Sequence, residues 1–380
     1  MEVKEIKNKT RYIQPETERM LWAVSAGICE FRGCCNKLYT HHVTKENVNI
    51  AEKAHIYAFS EGGKRFSRLL TRDKINDIAN LMLVCKSCHE LIDSQNTDYS
   101  AEELLRMKAE HEQRIERLVS LKPDLQSEVI IYNANIANRG ITISNFSAME
   151  AITPDHYPAR TEPLNLSPSL HLYDNEEKYW DVFESDLDRA FLAIEPSVRS
   201  NHISLFAIAP QPLLFKLGYL FNRNYNVDVR QPQGSLERWH WNEESETIEP
   251  EHWIISGKGE AERIAITIEL TARLSEEELR QVFGNSDIHR ITIPSCNPHC
   301  IKNHRDLNAV MEIYRSVLNE IRLRCGANVR VLLLPIAPVS VSIEAGRQLM
   351  KGDPCVTVYD RNYITKEWTP TITLNGTERE

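Results

Sequence analysis

Residues 78–93 read IANLMLVCKSCHELID. An apolar run leads into Cys85-Lys-Ser-Cys88, and His89 follows at once. Upstream stands a second thiol pair, Cys29-Glu-Phe-Arg-Gly-Cys34. Two closely spaced thiol pairs can close a tetrahedral zinc site, each thiolate neutralising part of the cation's charge. We therefore expect a structural zinc on Cys29, Cys34, Cys85 and Cys88. Cys35 competes with Cys34 for its place; the C-x4-C loop with Gly33 permits a tight turn and favours Cys34. The chain has 9 cysteines, an odd number, and opens on MEVKEIKNKTRY, which has no apolar stretch. Cytoplasmic thiols or metal ligands are expected rather than a disulfide framework.

Between the two pairs lie EKAHI (52–56) and SEGGKRF (60–66). Taken with IANLMLVCKSCHELID, they make roughly residues 20–115 resemble an HNH nuclease of the ββα-metal type. In that family a histidine ends the first strand, an asparagine lies in the loop between strands and helix, and a second histidine follows the C-x2-C. The matching residues are His55, Asn80 and His89. The resemblance implies His55 as general base, His89 as a ligand of a catalytic divalent ion (Mg²⁺ or another), and Asn80 as the residue that orients the loop. Phosphodiester hydrolysis needs water deprotonated near neutral pH, which suits imidazole, and a cation to stabilise the leaving oxygen. Many members carry Asp or His immediately before the base, where this chain has Ala54. Glu52 is the candidate substitute ligand, although strand alternation puts it on the face opposite His55. In EGGKRFSRLLTRDK (61–74), Lys64, Arg65, Arg68 and Arg72 are candidate contacts to DNA phosphate. No base-reading signature accompanies them, so cutting with little sequence specificity is expected.

Downstream, SAEELLRMKAEHEQRIERLVS (100–120) has the clearest helical pattern. Ser100 and Glu103 suit a capping box, Leu104, Met107, His111, Ile115 and Leu118 recur at helical spacing, and Lys122-Pro123 stops the run. We place a domain boundary here, with a nuclease domain at 1–121 and a second domain at 122–380. The second is expected to open on β-like runs Val129–Tyr132 and Ile141–Ser144. Strands are then expected at Ile203–Ala209, Val227–Arg230, Ile264–Leu270, Ile288–Pro294, Val329–Leu334 and Val356–Tyr359, with helical patterns between them, notably Leu307–Arg324. Such alternation implies an α/β architecture with a largely parallel sheet. The stretch LFAIAPQPLLFKLGYL (205–220) is echoed by LLPIAPVSVSIEAGRQL (333–349). The IAP triplets align, Gly218 matches Gly346, and each copy runs on to a short β-branched strand. Two similar lobes, near 203–231 and 329–360, are the expectation.

Those stretches, with VDVRQ and Trp239-His-Trp241, make residues 130–375 similar to a SAVED domain, in which two fused lobes resemble the CRISPR-associated Rossmann fold. An HNH domain ahead of SAVED resembles an effector of cyclic-oligonucleotide-based antiphage signalling (CBASS). The resemblance implies a cyclic di- or trinucleotide as activator. Loops beyond the carboxyl ends of the strands are the expected pocket. Gln211, Ser295 and Asn297 are candidates for base edges, Trp239 or Trp241 for stacking, and Arg230, Lys302 and Arg347 for phosphate. Cys296-Asn-Pro-His-Cys300 is expected to be a pocket loop rather than a second metal site.

The expected fold class is thus an α+β zinc-containing HNH domain followed by an α/β SAVED domain of two lobes. The expected function is double-stranded DNA cleavage, switched on when ligand drives the subunits from dimers towards tetramers. The rivals are an ungated restriction-type HNH enzyme that recognises modified DNA, and a non-catalytic zinc adaptor. The net charge of −9 does not exclude DNA. Residues 1–120 hold 19 Lys/Arg against 18 Asp/Glu, a net of +1, and the remaining 260 residues hold 26 against 36, a net of −10. No apolar run suits a membrane span.

Overall fold

The structure, a computed structural model, describes residues 12–376 apart from 42, 59–61, 68–70, 72–73, 95–98, 137–139, 169–178, 258–261, 327 and 363. The chain divides into two compact units, Met1–Lys122 and Pro123–Glu380.

In the first unit, helix α1 (Pro15–Val24) precedes strand β1 (Ala51–His55), strand β2 (Leu81–Cys85), helix α2 (Lys86–Asp93) and helix α3 (Ala101–Val119). The two strands pair antiparallel, with Ala51 opposite Cys85 and His55 opposite Leu81. Every residue of β2 is buried, which is why it reads as an unbroken apolar run. It packs with Leu21, Leu38, Ile56, Ile92, Leu104 and Met107 in one small core. Helix α3 starts where Ser100 Oγ accepts the Glu103 N–H at 3.1 Å. Its buried stripe is Leu104, Met107, Lys108, His111 and Ile115.

The second unit opens with β3 (Gln126–Asn133), helix α4 (Asn145–Glu150), β4 (Tyr157–Pro158), β5 (Leu164–Asn165) and helix α5 (Tyr179–Ile194). Next come β6 (Ile203–Ile208), helix α6 (Gln211–Leu220), β7 (Val227–Val229), β8 (Glu251–Ile255), β9 (Arg263–Glu269), helix α7 (Glu276–Phe283) and β10 (Asp287–Thr292). Helix α8 (His304–Cys325), β11 (Arg330–Ile336), helix α9 (Val339–Arg347), β12 (Cys355–Arg361) and β13 (Trp368–Leu374) complete it. The first sheet runs β4-β3-β6-β7, with β5 also on β3, and its pairings are parallel. The second runs β13-β12-β11-β9-β10-β8. Its inner pairings are parallel, and the edge strands β8 and β13 are antiparallel. Helices cover both faces of the inner strands, so β9 and β11 are apolar and buried along nearly their whole length.

One expected strand is absent. Residues 141–144 are irregular and end at Ser144, whose Oγ caps helix α4 by accepting the Ser147 N–H at 3.3 Å. The capping hydroxyl at the close of the run outweighs its short β-branched pattern.

The echoed segments become helices α6 and α9, which cross at their glycines. A Cβ on Gly218 would stand 1.8 Å from the Ile343 carbonyl oxygen, and one on Gly346 would stand 2.0 Å from that of Phe215. Backbone at that range cannot give way without separating the helices. Gly218→Ala is therefore expected to cost the second unit about 3 kcal/mol, read as a lowered urea midpoint in the intact chain; an unchanged midpoint would refute the close crossing.

Candidate functional site

Strand β1 delivers His55 at its last position, and Cys85 serves as N-cap of helix α2 and so starts the turn that carries Cys88 and His89. Because β1 pairs with β2, Glu52 lies opposite Val84, one residue before that turn. Its carboxylate hydrogen-bonds His89 Nδ1. On the other side of the ring, Asp93 Oδ2 lies 3.5 Å from His89 Nε2, one helical turn on. The β1–β2 register is what brings Glu52 within reach of His89.

Asn80 is buried and clamps the chain just beyond His55. Its Oδ1 accepts the Tyr57 N–H at 2.8 Å, and its Nδ2 donates to the carbonyls of Tyr57 (3.2 Å) and Ile75 (2.9 Å). His55 Nε2 lies 2.9 Å from Asn76 Oδ1. His55, Ala58, Gly63, Lys64, Arg65, His89 and Asp93 line one cavity of about 360 Å³. Two imidazoles thus face the same space, one bracketed by carboxylates and one held by an amide.

The four thiols converge where β2 ends at Cys85 and helix α2 begins. The sulfurs of Cys29, Cys34, Cys85 and Cys88 all lie within 4.8 Å of one another, a set that could hold a metal ion. Burial pushes the Cys29 thiol up to about 12 and also raises Cys88. Burial also opposes ionisation of Cys85, but hydrogen bonds from the Cys88 backbone and from the neighbouring thiols leave it lowered on balance. Crowded, buried thiols that resist ionisation fit a cation that supplies the compensating charge, and four sulfur donors suit zinc. Cys35 stands apart, exposed, with φ +50° and its sulfur 3.6 Å from an Arg114 nitrogen.

In the second unit, a cavity of about 430 Å³ is lined by Asp228, His202, His304, Asn308, Glu344 and Arg347, among others. Asp228 meets Arg230 at 2.7 Å and His304 Nε2 at 3.1 Å, and the other ring nitrogen of His304 meets Glu243. Burial works against both charges, yet the partners win: Asp228 is held below the usual carboxylate range and His304 above that of imidazole. His202 is half-buried and stacked on His156 with ring centroids 3.8 Å apart, and desolvation lowers it to about 4.

Comparison with known proteins adds the family. Residues 29–96 match the family model for HNH endonuclease, and residues 187–374 match that for SAVED, the SMODS-associated and fused to various effectors sensor domain. The chain joins an HNH endonuclease domain to a SAVED sensor domain. No curated protein matches. Similar solved structures include the Cap4 SAVED/CARF-domain containing receptor of Acinetobacter baumannii with the cyclic trinucleotide 3'3'3'-cAAA, at 14% identity and TM-score 0.46 over 76% of this chain and 65% of that one. The same receptor with 2'3'3'-cAAA gives 13% and 0.44, over 74% and 63%. The Moraxella osloensis Cap4 receptor gives 14% and 0.41, over 76% and 63%. The chain spans less than two thirds of the length of these receptors.

Several expected ligand contacts in the HNH and SAVED units are corrected by the geometry. Arg65 directs its guanidinium to the carbonyls of Ile56 (2.8 Å) and Ile92 (3.1 Å) and to Asp93 (3.1 Å), so it ties the loop to helix α2. Lys64 is exposed at the same cavity, with Nζ 2.9 Å from the Ser94 carbonyl, and keeps its place as a candidate. Arg68 and Arg72 lie outside the described residues. In SAVED, Trp239 is fully buried, donates to the Leu236 carbonyl at 2.7 Å and packs edge-on against Phe206; it is core and offers no stacking face. Arg230 is buried between Asp228 and the Ala151 carbonyl. Arg347 is buried too, bonded to the Phe221 and Tyr225 carbonyls and paired with Glu344 at 2.8 Å. Burying a guanidinium demands such partners, and most of the N–H groups of these two are committed to them.

Gln211 bridges the two lobes, donating to the Ala337 carbonyl at 2.9 Å and accepting from Ser342 Oγ. Ser295, Asn297 and Lys302 are exposed. Trp241 is half-buried, with its ring 4.6 Å from that of His304. Among the described residues, the four-cysteine set is where three or more potential metal ligands gather; the Cys296–Cys300 loop does not form one. Asp93 was not anticipated, though its i, i+4 spacing from His89 on a helix begun by the thiol pair is the signal that finds it.

Proposed function

We propose that this chain is a signal-gated, metal-dependent endonuclease that cuts double-stranded DNA with little sequence specificity. The observation that carries the reading is one chain with an HNH endonuclease match at 29–96 and a sensor-domain match at 187–374. A nuclease joined to a sensor is a nuclease whose activity waits on the sensor's ligand. The resemblance makes that ligand a cyclic di- or trinucleotide and the setting cytoplasmic CBASS defence. Ligand binding would drive subunits from dimers to tetramers and bring HNH units together on both DNA strands. The working division is 1–121 for the nuclease and 122–380 for the sensor. No helix among the described residues is long and apolar enough to cross a membrane.

In this reading His55 takes the proton from the attacking water, and Asn80 keeps the chain beyond it in register. His89 and Glu52 would hold the catalytic ion, and an imidazole with a carboxylate suits Mg²⁺ or another hard cation. That ion supplies charge stabilisation to the phosphate and its leaving oxygen. Zinc on Cys29, Cys34, Cys85 and Cys88 would hold β2 and helix α2 in place. Lys64, Arg68 and Arg72 would meet DNA phosphate. Gln211, Trp241, Ser295, Asn297 and Lys302 remain the SAVED residues proposed for ligand.

The test is plasmid cleavage by the full-length chain with Mg²⁺, with and without a panel of cyclic di- and trinucleotides, while light scattering follows the mass. Cutting confined to one nucleotide, with a rise in mass, is expected. Full cutting without any nucleotide overturns the gating in favour of the ungated enzyme. No cutting with any nucleotide or metal leaves the zinc adaptor.

A further inference from the structure

The loop that leads into Asn80 carries a second asparagine, four residues earlier, and its bonds decide how His55 is protonated. Asn76 Nδ2 donates to the Tyr12 backbone carbonyl at 3.2 Å. A carbonyl oxygen only accepts, so the amide nitrogen must face Tyr12. The amide oxygen then faces His55 Nε2, 2.9 Å away. That oxygen can only accept as well, so Nε2 must carry the hydrogen. Turning the amide over would set its oxygen against the Tyr12 oxygen, with nothing to donate between them.

A neutral imidazole carries one N–H, and if it sits on Nε2, the lone pair is on Nδ1. Among the described residues no group bonds Nδ1. We infer that Asn76 is a positioning residue that fixes His55 as the Nε2–H tautomer and leaves Nδ1 as the atom that accepts the proton from water.

An amide suits this task for a physical reason. A carboxylate at position 76 would also accept from Nε2–H, but its second oxygen would oppose the Tyr12 carbonyl and its charge would stabilise imidazolium, which cannot accept a proton. Asn76 fixes the tautomer without adding a charge. The charged and titratable groups that share the cavity with His55 are Lys64, Arg65, His89 and Asp93. On its own strand, Lys53 pairs with Glu18 at 2.8 Å and Glu52 bonds His89. The Arg65–Asp93 pair is at 3.1 Å, so the carboxylate that lines this cavity already has a cation beside it.

The inference rests on the assignment of His55 as base, and the two are tested apart. The full-length chain is labelled with ¹⁵N-histidine, and the His55 ring signals are assigned by their loss in His55→Ala. Long-range ¹H–¹⁵N spectra are expected to show a protonated Nε2 and an unprotonated Nδ1. In Asn76→Ala the two tautomers are expected to mix. A wild-type ring protonated on Nδ1, or an unchanged pattern in Asn76→Ala, overturns the inference whatever the activity.

Cleavage under whichever nucleotide triggers the wild type gives the second readout. Asn76→Ala should lower kcat about 10- to 100-fold, part of what a positioned base contributes, with KM for plasmid unchanged. Asn76→Asp keeps the acceptor but loses the donor to Tyr12, and should recover part of that rate at high pH, while the acid limb of its pH–rate profile moves up by about one unit. A profile that coincides with the wild type also overturns the inference. Should His55→Ala still cut, the base assignment fails, and the spectra judge the tautomer alone.

Discussion

His55→Ala is expected to abolish plasmid cleavage, with a fall of about 10²- to 10⁴-fold, the usual contribution of a positioned general base. The argument comes from the two imidazoles of one cavity. His89 has a carboxylate at each ring nitrogen, Glu52 at Nδ1 and Asp93 at Nε2, an anionic setting that suits a cation. His55 is held at Nε2 alone, by a neutral amide. Different surroundings give like side chains different roles. These surroundings support the proposal of His89 for the cation and His55 for the water. Removing the His55 ring leaves the thiol set and the buried β2 strand untouched, so zinc content and thermal midpoint should stay at wild-type values. Cleavage within about threefold of wild type in that folded variant would end the assignment.

How much of this was legible beforehand depended on how local the deciding contacts are. The thiol pairs, His55, Asn80 and His89 are set by short spacings, and a C-x2-C-His at the start of a helix leaves few geometries open. The Glu52–His89 contact needed strand register as well. Asn76 could not be found by pattern, since its role depends on the Tyr12 carbonyl, 64 residues away. Arg65 was misjudged because composition reports charge and is silent about nearby carbonyls. The same holds for Arg230 and Arg347, which are buried within lobes whose closeness only the Gly218–Gly346 crossing reveals. The inner strands of the larger sheet were plain from their apolar runs. Its edge strands β8 and β13 were not, because an edge strand half-facing solvent carries too weak a period. Trp239 shows the limit of residue type alone: the same indole can stack on a base or fill a core.

Cys85→Ser is expected to remove the zinc, from about one ion per chain to none, and with it the fold of the first unit. Cys85 does three things at once. It supplies one of four converging sulfurs, it ends the fully buried strand β2, and it is the N-cap of the helix that bears His89. The core around it is small, and a structural zinc contributes about 10–16 kcal/mol of folding free energy in comparably small domains. The hydrophobic packing of the first unit cannot make good such a loss. The second unit has its own large core, Ile266, Leu333 and Tyr314 among its residues, and should keep its thermal transition. Metal analysis, circular dichroism and limited proteolysis would therefore show a zinc-free chain whose residues 1–122 are digested and whose remainder resists. Cys35→Ser is the matched control: that thiol is exposed and outside the cluster, so zinc and fold should persist. Two results would overturn the assignment: a wild-type chain that folds without zinc, or zinc lost from Cys35→Ser and kept by Cys34→Ser.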